Sequence, residues 1–341
     1  IDYSLLENIY TCNGYIWSLK CFMDSWYRIC INYVYNIIFS CFLKSDIESA
    51  YRSPSNYRFY FRINSYFYTN TSFIPIIMIF TNLIEANLKT TIIGRHIEYY
   101  TYLDSTNSEA KEIINDGVKS GTLVITDNQT SGEGRNGNQW KSISGKSLTF
   151  SLIYKPKLIP TERIGLLSIL AGISVSKGLE ELNINAGLKW PNDIILNDKK
   201  IGGILCETKV HNQTIEWVIF GIGINVNENR DDFESEIANK ASSLFIELGQ
   251  NTQRERVTAN VLNNMESLLS RFENDPNNFD ISKDWNNYCT HNNKNVSFEK
   301  ENITYNGIFK KITSDGGCII EMNETSHNYS GELIKNLQVL I

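Results

Sequence analysis

Residues 122–154 read TLVITDNQTSGEGRNGNQWKSISGKSLTFSLIY and contain the glycine pattern G-x-G-x-x-G at positions 132–137. A dinucleotide-binding turn of this pattern needs a strand before it, a helix that opens at the third glycine and an acidic residue about 20 positions later. The β-branched, apolar run 123–126 supplies the strand, but no helical period follows Gly137. The alternating run 147–154 instead predicts a second strand, so the glycine loop joins two strands.

A second nucleotide-binding pattern in the same stretch is also incomplete. Gly145, Lys146 and Ser147 resemble the end of a phosphate-binding P-loop, but Trp140 stands where that motif requires its leading glycine. The stretch therefore predicts a glycine-rich loop that carries Arg135 and lies between two strands.

The composition is that of a globular protein. The chain has 341 residues, 42% of them hydrophobic and 21% charged, which is long enough for two or three domains. Its formal net charge of -6 argues against a general nucleic-acid binder. The seven cysteines contain no C-x-x-C pair and the four histidines stand far apart, so we expect a reducing compartment and no structural metal.

Residues 1–90 differ in composition from the rest of the chain. They hold 11 of the 18 tyrosines and 4 of the 7 cysteines, but only one glycine, Gly14. Their apolar runs, such as 73–80, are shorter than the about 20 residues that cross a bilayer, and they do not resemble a transit peptide. We expect an aromatic-rich N-terminal extension of unknown role, with an interaction module as the alternative.

An ordered pattern begins at His96. Residues 96–106, HIEYYTYLDST, predict a strand that ends in a polar turn, and apolar residues then recur at helical spacing from 110 to 118. Ser105 or Thr106 can cap this helix by accepting a backbone N–H bond.

Polar residues stand at the predicted ends of the next strands. In residues 188–207, LKWPNDIILNDKKIGGILCE, a turn is predicted at 191–193 and a hairpin at 197–198. A solvated surface hairpin is the simpler interpretation, but the paired glycines 202–203 indicate close approach of a ligand or of another backbone. The following strand, TIEWVIFGIGINVN, also ends in glycines and in Asn225. These strand ends predict a common site.

The motifs DSTN, QTSGEGRNGNQW, KWPNDI, KIGGILCE and GIGINVN, in this order, resemble the catalytic region of biotin-protein ligases. The resemblance covers about residues 94–341 and implies an α/β (α+β) fold: a mixed, largely antiparallel sheet with helices, followed by a small SH3-like β-barrel. The short strands of residues 295–340 by themselves also predict a small barrel. We expect residues 1–90 to be the extension, 91–288 the catalytic domain and 289–341 the barrel.

The resemblance implies an ATP-dependent reaction in two steps. The carboxylate of biotin attacks the α-phosphate of ATP to give biotinyl-5'-AMP and pyrophosphate, and a lysine of a carboxylase biotin-carrier domain then attacks the mixed anhydride. Attack of one anion on another requires cations, which Arg135, Lys189 and Lys200 can supply beside Mg²⁺. Backbone N–H groups of the glycine loop add further donors.

The resemblance also implies roles for single residues. Those expected to bind biotin are Ser105, Thr106, Asn107, Gln129, Glu133, Gly134, Arg135, Lys200 and Gly203. Those expected to bind ATP or the adenylate are Arg135, Trp140, Lys189, Asn192 and Asn225, with Trp140 stacked on adenine. The expected catalytic residues are Arg135, Lys189, Lys200 and Asp193, and Asp193 is expected to position Mg²⁺ or to help deprotonate the incoming lysine.

One loop position departs from the family pattern. Glu133 follows the first glycine of the loop, where the family usually has arginine. A carboxylate there brings like charge towards the adenylate and predicts weaker loop closure. Arg135, the residue most tied to holding the adenylate, is retained.

Two other functions stay open. A lipoate ligase shares the adenylation chemistry, but its arginine-rich and triple-glycine motifs are absent from the sequence. A biotin or adenylate sensor that ligates nothing is the second, although residues 1–90 show no helix-turn-helix spacing. For the ligase we expect carrier domains as partners, no nucleic acid or membrane partner and a cytoplasmic location, with a homodimer left open.

Overall fold

The computed structural model describes residues 78–340 of the chain. The expectations for residues 1–77, including the aromatic-rich segment as an interaction module, lie outside the described residues. Within residues 78–340, no helix combines the length and the apolar character that a membrane span requires.

The strands and helices follow the order expected from the motifs. Strands β1 to β14 are, in chain order, His96–Tyr100, Thr122–Thr126, Gly132–Glu133, Gln139–Trp140, Leu148–Tyr154, Gly187–Lys189, Asp193–Leu196, Lys199–His211, Thr214–Ile224, Asn295–Lys300, Ile303–Ile312, Cys318–Met322, Thr325–Tyr329 and Lys335–Val339. Helices α1 to α6 are Thr81–Asn87, Thr106–Asn115, Gly165–Glu180, Leu244–Leu248, Arg254–Asn274 and Ser282–Tyr288.

A seven-stranded sheet with the spatial order β1-β2-β5-β9-β8-β7-β6 forms the centre of the described structure. Strands β1 and β2 pair in parallel, and the other neighbours pair antiparallel. The glycine loop joins β2 to β5 and contains the short hairpin β3–β4, with the turn Arg135–Gly137 at its tip. The expected mixed, largely antiparallel sheet and the loop between two strands are confirmed.

The central strands β5 and β9 present different residues on their two faces. The fully or nearly fully buried apolar set is Leu148, Phe150, Leu152, Phe220 and Ile222. Thr149 and Ser151 alternate with this set on β5, and Gly221 and Gly223 alternate with it on β9. Because residues two apart on a strand share a face, the small and polar positions form one patch on the face opposite the main core.

Helices cover both faces of this sheet. On the core face α3 packs against the sheet and α5 packs against α3, so most of α3 is buried and its sequence is apolar all round. Helix α1 packs on α5. On the other face α2 covers a smaller apolar cluster that contains Val124, Ile153 and Ile219. The first turn of α2 therefore lies next to the patch of small and polar residues.

The C-terminal strands form a five-stranded antiparallel sheet with the order β13-β12-β11-β10-β14, consistent with the expected SH3-like domain. Its buried side chains include Phe298 and Phe309. Trp190, fully buried at the end of β6, donates its indole N–H to the backbone oxygen of Gly316 at 3.2 Å. This contact joins the C-terminal sheet to the larger one.

Residues 79–93 contribute to the main core. Ile79, Ile84 and Leu88 are buried there. The backbone N–H of Ile79 donates to Asp127 Oδ1 at 3.0 Å, and that of Phe80 donates to Glu255 Oε1 at 3.0 Å. We therefore propose that the boundary of the N-terminal extension lies before Ile79 and not at residue 90.

A chain of residues 91–341 is expected to be several kcal/mol less stable than a chain of residues 75–341. The shorter chain lacks three buried aliphatic side chains, each worth about 1.5–3 kcal/mol, and leaves Asp127 without one of its donors. Urea unfolding of the two truncated chains measures the difference. Equal free energies of unfolding would place the boundary at residue 90 after all.

Candidate functional site

A cavity of about 360 Å³ opens at the first turn of α2, between the sheet, the glycine loop and the C-terminal sheet. The predicted site residues that line it are Ser105, Thr106, Asn107, Gln129, Glu133, Gly134, Arg135, Trp140, Lys189, Asn192, Asp193, Lys200 and Gly203. The structure therefore brings almost the whole predicted set together, although its members come from six different elements and loops.

Asn225 is the predicted residue that does not line the cavity. Its side-chain amide donates to the backbone oxygen of Ser242 at 2.9 Å, and its backbone N–H donates to Ile201 O at 2.7 Å. Asn225 thus fixes the chain after β9 from behind the cavity, and no direct contact to a ligand follows from its position.

One end of the cavity is rich in hydroxyl and amide groups. Ser105 is the N-cap of α2, and its hydroxyl accepts from the Ser108 N–H at 3.5 Å. Gln129 Oε1 accepts from the backbone N–H of Thr106 at 2.8 Å and from its hydroxyl at 3.0 Å. The loop after β2 is thereby tied to the first turn of α2. This end has donors and acceptors but no cation.

Asn107 lies over the backbone of β9. A Cβ added at Gly221 would stand 2.2 Å from Asn107 Oδ1, so only glycine leaves room for the amide. The Ser151 hydroxyl lies 2.6 Å from the same oxygen and 2.7 Å from Thr106 Oγ1. On the other side, Asn107 Nδ2 donates to Glu207 Oε2 at 2.8 Å.

Ser151 and Glu207 belong to this polar end, and the sequence motifs did not identify them. Ser151 occurs in the run SLTFSLIY and Glu207 ends the motif KIGGILCE. The available signal was the two-residue period of β5, which places Thr149 and Ser151 on one face between buried apolar side chains.

Trp140 and Thr149 form the middle of the cavity. The Trp140 indole lies on β9, because a Cβ added at Gly223 would stand 2.4 Å from its Cε2 atom. Among the described residues, neither Trp140 Nε1 nor Thr149 Oγ1 has a hydrogen-bond partner, although both atoms are buried. Buried polar atoms are normally paired, so these two atoms indicate where polar groups of a ligand are received.

The other end of the cavity is charged. Asp193 lies between two ammonium groups, with Lys200 Nζ at 2.6 Å and Lys189 Nζ at 3.0 Å. Burial alone would raise the pKa of Asp193, but Lys200 and Lys189 hold this pKa below its ordinary value. The aspartate is therefore ionised at neutral pH and keeps both lysine side chains directed into the cavity.

Arg135 reaches from the glycine loop to the C-terminal sheet. Its guanidinium donates to the backbone oxygen of Gly331 at 2.7 Å and to Asn192 Oδ1 at 3.3 Å. Burial lowers the pKa of Arg135, and the nearby Asp193 carboxylate opposes this shift. A guanidinium keeps its charge in proteins, so Arg135 is a partly buried cation at the charged end.

The C-terminal sheet supplies one wall that the motifs did not predict. Residues 334–338, among them Lys335, line the cavity, as does Lys240 from the segment after β9. Nothing in the spacing of these residues links them to the glycine loop, which precedes Lys335 by about two hundred positions. Glu133, where the sequence departs from the family pattern, is exposed at the rim.

Among the described residues, Asp193 has no further metal ligands around it that would support its predicted role in positioning Mg²⁺. Within residues 78–340, no cluster of three or more His, Cys, Asp or Glu side chains is placed to hold a metal ion. Both carboxylate oxygens of Asp193 already contact lysines, which occupy the positions that a cation would take.

A buried carboxyl group lies behind the cavity, near Asn225. Glu228 is 2% exposed and accepts from the Ser147 hydroxyl at 2.5 Å, while its Oε2 atom has no partner among the described residues. Burial raises the pKa of Glu228 to about 7, although the Ser147 hydroxyl opposes the shift. The nearest charged groups are Lys146 and Asp232, which pair with each other at 2.5 Å.

The contribution of Glu228 to stability is expected to fall as the pH rises from 5 to 7. Its pKa is about 4.5 in the unfolded chain and about 7 in the folded one, so in this window the folded state holds a proton that the unfolded state has released. The free energy of unfolding then falls by about 1.4 kcal/mol per pH unit through this residue. Urea unfolding between pH 5 and pH 7 should show this slope as the difference between the wild type and Glu228→Gln, because other groups, such as buried His291 with its pKa lowered to about 3, contribute equally to both. Parallel pH profiles would contradict the raised pKa.

Comparisons with known proteins relate this chain to one family. The family model described as "Biotin/lipoate A/B protein ligase family" matches residues 99–225, which run from β1 to Asn225. The chain is 35% identical over 245 residues to the bifunctional ligase/repressor BirA of Bacillus subtilis, an alignment that covers 71% of this chain and 74% of that protein. It is 27% identical over 201 residues to the biotin-[acetyl-CoA-carboxylase] ligase of Mycobacterium tuberculosis, covering 56% of this chain and 72% of that protein.

A solved structure resembles most of the chain. The biotin protein ligase from Aquifex aeolicus in complex with biotin and ATP superposes with a TM-score of 0.63 at 28% sequence identity. The match covers 72% of this chain and 100% of that one.

Proposed function

Because this chain belongs to the biotin/lipoate A/B protein ligase family, we propose that it is an ATP-dependent biotin-protein ligase. It forms biotinyl-5'-AMP and pyrophosphate and then transfers biotin to a lysine of the biotin-carrier domain of a carboxylase. The observation that carries the proposal is that one cavity joins an uncharged end of hydroxyls and amides to an end with Arg135, Lys189 and Lys200. Biotin has the matching asymmetry, with a neutral ureido head and an anionic carboxylate.

The uncharged end suits the ureido head. A ureido group has two N–H donors and one carbonyl acceptor, and the hydroxyls of Ser105 and Thr106 can serve either kind of partner. Gln129 orders Thr106 through two hydrogen bonds. Gly203 leaves space for the bicyclic ring, since a Cβ added there would meet only side-chain atoms at 3.5 Å or more, whereas Gly221 and Gly223 make room for Asn107 and Trp140. Thr149 Oγ1 adds a buried polar atom with capacity to spare among the described residues.

The charged end suits the first chemical step. The carboxylate of biotin must approach the α-phosphate of ATP, and two anions meet only where cations offset their repulsion. Asp193 holds Lys189 and Lys200 at this end, and Arg135 adds a guanidinium that can bridge a carboxylate and a phosphate. These groups are in place before the reaction, so they stabilise the developing charge without reorganising.

We propose for Asp193 a role in ordering the lysines and not in removing a proton. Its low pKa makes it a weak base, while its two ion pairs fix the direction of both ammonium groups. The incoming lysine would then lose its proton to solvent at the open mouth of the cavity.

We further propose that Mg²⁺ arrives with the phosphates of ATP, as part of the nucleotide substrate. Phosphate oxygens and water are ordinary Mg²⁺ ligands, and this ion is often bound without a dedicated protein cage. The absence of a suitable carboxylate cluster among the described residues fits this arrangement. Trp140 offers a flat ring and an unpaired N–H to the adenylate.

We propose that the catalytic region runs from Ile79 to residue 288. We propose that residues 289–340 form a C-terminal domain, which contains the C-terminal sheet. The proposed location is the cytoplasm, which supplies ATP and keeps the seven cysteines reduced.

A single assay tests the function. The purified chain is incubated with ATP, Mg²⁺, biotin and a carrier domain, and pyrophosphate release and avidin blotting are followed. We expect biotin-dependent pyrophosphate and a labelled carrier, and no label on a carrier whose target lysine is replaced by arginine. Repeating the assay with lipoate in place of biotin distinguishes a biotin ligase from a lipoate ligase. A folded chain that produces neither pyrophosphate nor label with biotin would rule out the ligase.

A further inference from the structure

We propose that Glu207 is a positioning residue of this site. Its carboxylate fixes the side-chain amide of Asn107 in one of two possible orientations, and through Ser151 this orientation sets which hydrogen bonds Thr106 can offer to a ligand. The inference rests on the proposed biotin site. It identifies a residue that makes this site prefer ligands with an N–H donor.

Asn107 is held from three sides. It is 3% exposed, it lies in the first turn of α2, and its amide rests on Gly221 of β9. Ser151 on β5 and Glu207 on β8 contact opposite ends of the amide. The sheet closes the space below Asn107. The side chain can therefore change only by a rotation of its amide that exchanges the oxygen and the nitrogen.

Glu207 decides between these two orientations. The oxygen and nitrogen of an asparagine amide are nearly identical in shape, so the surrounding donors and acceptors choose between them. An ionised carboxylate only accepts, and Glu207 Oε2 lies 2.8 Å from the Asn107 amide nitrogen, much closer than the Leu205 backbone oxygen, which accepts from the same nitrogen at 3.4 Å. The reversed amide would place two acceptors at that distance. Lys111 pairs with the other carboxylate oxygen at 2.8 Å and holds the charge in place.

The choice is transmitted to Thr106 by Ser151. Ser151 has one hydroxyl proton and two acceptors close to it, Asn107 Oδ1 at 2.6 Å and Thr106 Oγ1 at 2.7 Å. Because Glu207 turns the Asn107 oxygen towards Ser151, this oxygen competes for the proton. Thr106 gives its own proton to Gln129 Oε1 at 3.0 Å. An acceptor lone pair on Thr106 is therefore left for an N–H group of the ligand.

The reversed amide would have the opposite effect. Its NH₂ group would donate to Ser151, and the Ser151 proton would then pass entirely to Thr106. Thr106 would hold two hydrogen bonds to protein groups and would have less capacity for a ligand donor. Glu207 thus maintains the hydrogen-bonding direction of the polar end without touching the ligand.

The test compares Glu207→Gln with the wild-type full chain by titration calorimetry. Glutamine keeps the size of Glu207, but its amide can meet either orientation of Asn107. We expect biotin to bind about tenfold more weakly, which is the loss of roughly one well-placed hydrogen bond, with ATP affinity within about twofold of the wild type.

A biotin whose ureido nitrogen is methylated distinguishes a positioning role of Glu207 from a general structural role. Such a ligand lacks the N–H donor, so the ratio of its Kd to that of biotin measures how strongly the site demands that donor. We expect this ratio to be several-fold smaller in Glu207→Gln than in the wild type. A general loosening of the fold would weaken both ligands and leave the ratio unchanged.

The chain offers a matched control. Glu216 pairs with Lys209 at 3.0 Å at the far end of the same β8–β9 hairpin, with both side chains about half exposed. Glu216→Gln removes the same charge from the same hairpin and should leave both affinities unchanged. Ser151→Ala removes the hydroxyl proton for which Asn107 and Thr106 compete, so Thr106 keeps its acceptor lone pairs and the ratio should stay at or above the wild-type value, with Glu207 unaltered. The Ser151→Ala variant provides the test if Glu207→Gln does not fold.

The outcomes separate the two proposals. A wild-type chain that does not bind biotin would overturn the proposed function, and this inference with it. A wild type that binds biotin, together with a folded Glu207→Gln variant of equal affinity and equal ratio, would overturn the positioning role alone. Equal weakening of biotin and ATP by Glu207→Gln would also overturn it, because the effect would then be a general one.

Discussion

Replacing Arg135 by glycine is expected to raise the rate at which biotinyl-5'-AMP leaves the site by about 100-fold. The guanidinium lies at the charged end of the cavity and is partly buried, where hydrogen bonds to charged groups contribute about 1.5–3 kcal/mol each. Losing two bonds to the phosphate and carboxylate oxygens, each at the lower end of this range, corresponds to about two powers of ten in the dissociation constant. The change falls mainly on the off-rate.

The escape of the adenylate has a second observable effect. Free biotinyl-5'-AMP is a mixed anhydride that reacts with any accessible amine, so Arg135→Gly should label lysines of a bystander protein added to the assay. Release of labelled adenylate from the preformed complex, by rapid gel filtration, gives the rate directly. An unchanged release rate would reject the role of Arg135.

Asn136→Gly is the matched control for Arg135→Gly. Asn136 has φ of 59° in the same exposed turn, a conformation that glycine adopts without strain. This variant makes the loop equally rich in glycine but keeps the guanidinium. Its release rate is expected to stay within about threefold of the wild type. A large increase in both variants would attribute the effect to loop flexibility.

Lys189→Met is expected to slow adenylate formation by about 10²–10³-fold, the cost of removing one preorganised donor to a developing charge. Transfer from synthetic biotinyl-5'-AMP to the carrier domain should fall by less than about tenfold, because pyrophosphate has already left and Lys200 still pairs with Asp193. Single-turnover pyrophosphate release and carrier labelling measure the two steps separately.

Lys209→Met provides the comparison for Lys189→Met. Lys209 forms an ion pair with Glu216 on the exposed hairpin and does not line the cavity. Exposed pairs contribute less than about 1 kcal/mol, and neither step should change. Equal slowing of both steps by Lys189→Met would argue for a structural role of this lysine and against a role in adenylation.

The motifs predicted the family and most of the cavity because each motif lies near the beginning or the end of a strand, next to the same patch. The membership and the mixed, largely antiparallel sheet are confirmed. The motifs do not show which residues lie side by side on neighbouring strands of the sheet. Strand β5 pairs with β9, so Ser151 lies beside Gly221, and only this pairing shows that Asn107 must fit over a glycine. Asn225 belongs to the motif GIGINVN, yet it points behind the cavity because the chain turns there towards Ser242.

The C-terminal wall was beyond prediction for a related reason. Residues 334–338 carry no distinctive spacing, and their approach to the glycine loop depends on how two sheets pack. The buried Trp190 contact to Gly316 supports that packing, and no local pattern indicates it.

The bond from Arg135 to Gly331 joins positions that are 196 residues apart in the chain. A ribosome that adds about 5–20 residues per second needs about 10–40 s to pass from one to the other. During this time a nascent chain has its glycine loop and its lysines but lacks the wall formed by residues 334–338. ATP and biotin would meet an open groove, and an adenylate formed there would be lost to water. The cell therefore obtains a competent site only after residues 331–338 have been translated, and a chain released before them would carry the motifs without the ability to retain its intermediate.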